Sequence, residues 1–386
     1  MSDALRVNVM PLALFKVMDR YLLRQIVVTT IIMTGVGLAI LLLERLLRLF
    51  SLVADPDQAL FYVGQMLILL TPHYLSLALP AAFFFGVLLT FLRLERDNEL
   101  VLFMSVGNSL GRLLGPVMAL AMVMTLITIG IVGYLTPHAR YGYRAIKQAV
   151  AQASLSAAVR EGTFIHAEGL TFYADSSVPS EEGLRLRKVF VYQEPEEGVA
   201  VVTTGEHGML GEAPGSGDPV LFLEGGVRTE LPEEGDEATT LTFRNLSWPV
   251  LTAEEEFRPR GRDQRELTLT ELVAPSAAEE KGPTSAELAA EFHARLAVIA
   301  SMPLLPLLAA PLALLGGPRG RRFGVAIGLL ILIVYHEALT FGEAMVKREL
   351  LTPWLALWGP YAGFAAGAVY ALRRTASGRP LLPWLG

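Results

Sequence analysis

The 386-residue chain contains no cysteine. Disulfides, thiolate metal sites and cysteine nucleophiles are therefore excluded. The absence does not set the compartment, because a domain that buries its own core needs no covalent staples. Charged residues are also scarce, at 18% of the chain. No basic patch of the kind nucleic acid requires stands out, so no nucleic-acid partner is expected. Signature motifs of catalysis are missing too. No glycine-rich run ends in Gly-Lys-Ser or Gly-Lys-Thr, so the chain carries no P-loop of its own. No Gly-x-Ser-x-Gly elbow occurs. His336-Glu337 opens like a zinc-protease pair, but the second histidine would fall at Thr340. The plainer reading of the pair is polar side chains matched across helices, or facing a wet cavity.

What the chain has in quantity is segregated apolar sequence. Acidic residues crowd into roughly 160–290, and apolar runs long enough to cross a bilayer lie on either side. The first covers about 25–47 and ends in Glu44-Arg45-Leu46-Leu47-Arg48 without a cleavage pattern, so it reads as a retained membrane helix. The mixed segment before it, 11–24, suits an interfacial amphipathic helix running into that span. The second span lies within 59–92, where Pro72 and Pro80 predict a kink or break. The third runs over about 113–135. After the acidic middle come spans at about 295–315, 323–343 and 353–372.

Lys and Arg cluster at alternate span ends: Arg6, Lys16, Arg20 and Arg24; Arg93, Arg96 and Arg112; Arg319, Arg321 and Arg322; Arg373, Arg374 and Arg379. That bias puts both termini in the cytoplasm and the inserted segment outside it. Within the insert, alternating runs recur at 163–166, 170–173, 189–192, 200–203, 220–223 and 241–243, separated by glycine-rich or proline-containing turns. Many short strands at near-even spacing predict a sandwich or jelly roll. Residues 274–285 read as a tether into the fourth helix, capped by Thr284 or Ser285 with Glu287 in the first turn. The expected fold is thus an α-helical membrane protein of six transmembrane helices, three plus three, around an all-β, jelly-roll-like insert. The expected division is 1–135, 136–284 and 285–386.

Three constellations remain as candidate sites. Between spans two and three, the charged run with Arg93, Glu95, Asp97 and Glu99 leads into an apolar turn with Leu100 and Phe103, stopped at Gly107. Such a helix either lies on lipid or inserts as a knob into a soluble partner. Arg45 and Arg48, three apart on one helical face, either snorkel or bind an anionic headgroup. Gly324 and Gly328, and Gly359, Gly363 and Gly367, keep the four-residue spacing that lets helices approach closely, within the chain or between subunits.

Taken in order, these pieces resemble the LptF/LptG permeases of the lipopolysaccharide exporter of Gram-negative bacteria. The resemblance runs over nearly the whole chain. It includes Asp19-Arg20-Tyr21-Leu22-Leu23-Arg24, Leu79-Pro80-Ala81, Arg93-Leu94 followed by Asn98-Glu99-Leu100, and Ser105-Val106-Gly107. The later half adds Glu291-Phe292-His293-Ala294-Arg295-Leu296, Ala309-Ala310-Pro311-Leu312, Arg319-Gly320-Arg321-Arg322 and the Pro353 to Pro360 run. The resemblance implies a heterodimer of LptF and LptG on two copies of a cytoplasmic ATPase, which would bind the ATP and Mg; this chain would bind no cofactor. It implies a multi-pass inner-membrane protein whose periplasmic domain continues a lipid bridge, in contact with a protein such as LptC, toward outer-membrane assembly. The 93–110 loop would be the coupling helix, with Glu99 at the family's acidic contact position. The first and fifth helices would be lateral gates, which gives Arg45 and Arg48 a role toward the phosphates of lipid A. LptF is favoured over LptG. A lipoprotein-release permease, with four spans and its large domain after the first, is the alternative transporter. A membrane-embedded envelope enzyme is the alternative of another class.

Overall fold

A computed structural model of the chain describes residues 12–50, 56–105, 109–158, 162, 164–167, 170–180, 183–196, 199–212, 219–232, 238–249, 260–273, 282–315 and 317–377. Two compact units emerge. One gathers Met1–Arg45, Leu67–Gly142 and Arg260–Gly386; the other gathers Leu46–Met66 and Tyr143–Pro259.

The helical unit is built on long apolar helices. α1 (Leu12–Phe50) joins the expected interfacial segment and first span into one continuous helix. α2 (Pro56–Arg96) runs through both Pro72 and Pro80 without a break in its helical assignment. α3 (Glu99–Ser105) is a short helix, and α4 (Leu110–Gly130) passes through a π-helical turn at Ile131–Leu135 into α5 (Thr136–Ala158). Among the described residues five helices are long and apolar enough to cross a membrane, and a sixth span results if one bent pair is counted. That pair is α7 (Ser285–Ser301) and α8 (Leu304–Ala313), bent by 45°. The single span expected at 295–315 breaks there because Pro303 and Pro306 lack the N–H groups a continuous helix needs. Met302 N and Leu305 N make tighter bonds instead, to Ile299 O and Met302 O, each at 3.3 Å. α9 (Gly317–Lys347), α10 (Pro353–Ala356) and α11 (Trp358–Ala376) complete the unit.

α2 and α8 occupy the centre. Phe83, Phe84 and Phe91 of α2 are fully buried against Leu305, Ala309, Ala310 and Ala313 of α8, with Val117 of α4 and Ala368 of α11 in the same core. α1 and α9 lie at the periphery, far less buried than α2. Helices in lipid gain little from hydrophobicity alone, so close approach at small residues carries the packing. Gly324 and Gly328 serve that purpose inside the chain: a Cβ there would meet Leu312 O at 2.3 Å and the Phe84 ring at 2.8 Å. Gly359, Gly363 and Gly367 have nothing within 4 Å of a Cβ, so the spacing that reads alike in sequence divides into two roles.

The start of α7 follows the sequence reading. Thr284 accepts from Glu287 N at 3.2 Å, and the Glu287 carboxylate accepts from Thr284 N at 2.9 Å, a reciprocal capping box. Thr284→Ala is expected to cost about 1 kcal/mol, visible as a lower unfolding midpoint in detergent. An unchanged midpoint would show that the cap contributes nothing.

Among the described residues the second unit carries a six-stranded antiparallel sheet whose strands pair in sequence order. β1 (Ile165–Ala167), β2 (Leu170–Ser180), β3 (Gly183–Glu196), β4 (Val199–Glu212), β5 (Pro219–Pro232) and β6 (Thr239–Pro249) each contain or overlap one of the alternating runs. The architecture is the expected one of spans flanking an all-β insert, and within the described residues every strand connection is a meander step. One face is apolar. Ala174, Leu186, Val189, Val191, Leu210, Leu221 and Leu223 form its core, with Phe172, Phe243, Leu246 and Trp248 against them.

Along each long strand that face slips its period once. Gly205 and Gly208, Leu223 and Gly226, and Phe243 and Leu246 are three apart, yet pair on the same rows as Val189 and Leu186. At the slip the pairing skips Asp175 and Lys188, and Glu206 and Gly225, where Lys188 and Gly225 take φ of 48° and 61°. An exposed Lys188–Asp175 ion pair of 3.4 Å crosses it. The result is a crease, into which Val189, Leu223 and Phe243 pack over glycines too crowded for a Cβ.

Candidate functional site

The junction from α2 to α4 is assembled by backbone stops and side-chain anchors. α2 ends in the basic Arg93 and Arg96, and Asn98 turns the chain with φ 57°. Asn tolerates this left-handed conformation better than most residues. α3 then runs Glu99–Ser105, and Ser109 caps α4 by accepting from Arg112 N at 3.3 Å. Asp97 accepts from Arg96 Nε at 3.1 Å and meets Arg93 Nε at 3.6 Å. Those contacts hold its carboxyl below the usual carboxylate range, Arg96 contributing most.

α3 is seated by one face and open on another. Leu100 is buried with Leu22 and Ile26 of α1, and Phe103 packs on the same core. Val101 and Leu102, by contrast, are 62% and 63% exposed. Tyr21 Oη donates to Glu99 Oε1 at 3.4 Å. With its amide turned so that the oxygen faces Arg93, Gln25 accepts from Arg93 Nε and Nη1 at 3.2 and 2.9 Å. α1 thus holds the end of α2 and the start of α3, and two aliphatic side chains stand out beside a positioned carboxylate. Glu95 is half-buried; Gly107, the expected stop, lies outside the described residues.

Arg45 and Arg48 are not part of this assembly. They lie 24 and 27 residues beyond Tyr21 on α1, about 36 and 40 Å along the axis. Arg45 is half-buried and Arg48 exposed, and both have interactions. Arg45 lies within electrostatic reach of His73, as do Arg140 and Arg265.

Around His73 is a polar assembly that the sequence reading missed. Arg140 Nη2 lies 3.2 Å from His73 Nδ1, and Thr136 Oγ1 donates to Pro72 O at 3.3 Å. The segment 260–273, which follows the sheet and includes α6 (Leu269–Val273), is strapped down beside it. Arg295, 6% exposed, donates to Glu291 Oε1 at 2.8 Å, Leu267 O at 2.6 Å and Arg265 O at 3.1 Å. Arg260 reaches Glu271 Oε2 at 2.7 Å. Burial alone would raise the Glu271 pKa, but the Thr268 N–H and hydroxyl, with Arg260, bring it below the usual value. On the other side Leu269 fills the space over Gly133 in the π-helical turn. The Glu291 and Arg295 spacing on one helical face was the visible signal; that the guanidinium clamps a distant backbone was not.

His336 and Glu337 are exposed on α9, and no cluster of three metal-ligating side chains occurs among the described residues.

Long apolar helices packed around a central one define a polytopic membrane protein. The chain belongs to the LptF/LptG family: the family described as lipopolysaccharide export system permease LptF/LptG matches residues 20–374. Among curated proteins it is similar to the lipopolysaccharide export system permease protein LptF of Escherichia coli K12. The two are 23% identical over 346 residues, 88% of this chain and 90% of the relative. The LptF of Shigella flexneri matches to the same extent.

Proposed function

We propose that this chain is an LptF-type half of an exporter that extracts lipopolysaccharide from the inner membrane and passes it to a periplasmic bridge. Its LptF assignment is supported by the names of the curated relatives. The observation that carries the mechanism is α3, with Val101 and Leu102 exposed beside Glu99 just after α2. Burying two such side chains in a soluble partner contributes about 1.5–3 kcal/mol each. In this reading two copies of a cytoplasmic ATPase bind ATP and Mg, dock on α3 of this chain and on its counterpart in a paired permease, and push α2 and α4. The termini are cytoplasmic and the sheet periplasmic, and Arg45 and Arg48 meet lipid phosphates at the outer end of α1.

The drive is needed because each buried methylene holds the lipid by about 0.8 kcal/mol. The creased apolar face supports a lipid relay. Among the described residues β6 ends the sheet, which supports strand addition there by a bridge protein such as LptC. Glu99→Lys is expected to abolish recovery of the ATPase with the complex, while the membrane fold survives. Glu99 loses only an exposed bond to Tyr21. A charge-reversed complex that purifies with a full complement of ATPase and transports normally would overturn the assignment.

A further inference from the structure

α11 ends in two arginines, Arg373 and Arg374, with no acidic residue anywhere on the helix. Glu349 is the last acidic residue of the chain, and the two arginines close the apolar span Pro353–Ala376. Arg373 is exposed, and its side chain has no hydrogen bond or ion pair among the described residues. Arg374 is half-buried and oriented. Its Nη1 donates to Tyr370 Oη, and its guanidinium carbon lies 5.8 Å from the centre of that ring.

Arginines at a span end often do no more than reach into the headgroup layer. Here they border a pocket. Ala366, Val369, Tyr370, Arg373, Arg374 and Ser377 line a surface recess of about 470 Å³. By helical spacing it lies on the side of α11 opposite Phe364, Ala368 and Ala371, which pack inside the chain. The same side continues toward the start of the helix as Gly359, Ala362, Gly363 and Ala366, all exposed. A Cβ at either glycine would meet nothing within 4 Å. A shallow apolar groove along the span therefore leads into a recess rimmed by two guanidinium groups. The groove suits an acyl chain, and the rim suits a phosphate, whose oxygens guanidinium binds in a fork. No carboxylate lines the recess to meet an ammonium headgroup, so charge selects a lipid of net negative headgroup.

We infer that the C-terminal end of α11 binds an anionic glycerophospholipid, its phosphate at Arg373 and Arg374 and one acyl chain along residues 359–366. Basic pockets beside a span attract such headgroups electrostatically. Tyr370 contributes by holding one guanidinium in place before the lipid arrives, which lowers the ordering cost of binding. The site needs only that α11 span the membrane, whatever the chain transports.

The test reconstitutes the full chain, in its natural complex, into phosphatidylcholine vesicles that carry a minor fraction of a photo-reactive lipid. That lipid is diazirine-tagged phosphatidylglycerol or, in parallel, diazirine-tagged phosphatidylcholine. Adducts on residues 359–377 are quantified by peptide mass spectrometry relative to those on the whole chain. Phosphatidylglycerol is expected to label this segment about fivefold more than phosphatidylcholine, or better, since one basic residue near the surface gives about fivefold. Arg373→Gln should remove about fivefold of the phosphatidylglycerol adduct and leave the phosphatidylcholine adduct unchanged. Arg373→Lys keeps the charge and loses only the fork, so it should cost roughly twofold. Arg373 is exposed and outside the packed core, so neither variant disturbs the fold. Equal labelling by the two lipids, no labelling of this face by either, or indifference to Arg373→Gln would each overturn the inference. Loss of the adduct to excess inorganic phosphate at fixed ionic strength would also overturn it, by marking a site for free anions.

Discussion

Arg295→Ala is expected to destabilise the helical unit by about 3–5 kcal/mol, the cost of breaking a buried ion pair by removing one partner. Arg295 is 6% exposed and Glu291 14%, so the carboxylate left behind gains little from water. The same substitution strands the carbonyls of Leu267 and Arg265, which accept from the guanidinium at 2.6 and 3.1 Å. Arg295→Lys should fall between, because an ammonium keeps the charge but cannot fork across a carboxylate and two backbone oxygens at once. Thermal unfolding of the purified chain in detergent checks the order wild type, lysine, alanine. An alanine variant that unfolds within about 2 °C of wild type, where a 1 kcal/mol loss already gives such a shift in a domain of this size, would refute the clamp.

The second large effect is expected at glycines that abut backbone. A Cβ at Gly342 would lie 2.2 Å from Ala356 O, and one at Gly324 2.3 Å from Leu312 O. Neither obstacle is a side chain that can swing away, so α9 must move off α10 or α8. Gly342→Ala and Gly324→Ala should each cost about 1–3 kcal/mol or more, the range for overpacking a filled core. Gly363→Ala is the internal control, because its Cβ meets nothing within 4 Å. In the isolated chain it should be neutral or slightly stabilising, since alanine is the better helix former. Equal unfolding midpoints for all three variants would mean that the close approaches are not rigid.

The helices over 25–47 and 113–135 and the six strand cores were legible because apolar periodicity survives any tertiary arrangement. Thr284 and Glu287 were legible because a capping box is local. The bend inside the fourth span was not legible: Pro303 and Pro306 looked no different from Pro72 and Pro80, which α2 absorbs. Whether a proline breaks a membrane helix depends on what neighbouring helices offer the freed groups, and that is not written nearby in the chain. The strand runs were likewise found too short. Their alternation slips by one residue at the crease, so period-two reading ends there although the strand continues.

The site divides along the same line. The order of residues alone determined a membrane protein with three spans on each side of a strand-rich insert. It also placed a charged-then-apolar junction after the second span and carried the family likeness, because each of these is a matter of composition and local spacing. Only the tertiary structure decided that Leu100 and Phe103 anchor α3 while Val101 and Leu102 are displayed. It alone separated glycines that pack within the chain from glycines that do not, and turned Arg295 into a clamp on residues 265 and 267. It also placed His336 and Glu337 on an exposed face of α9. Such facts depend on which surfaces residues distant in sequence cover, and burial is a property of neighbours rather than of the residue itself.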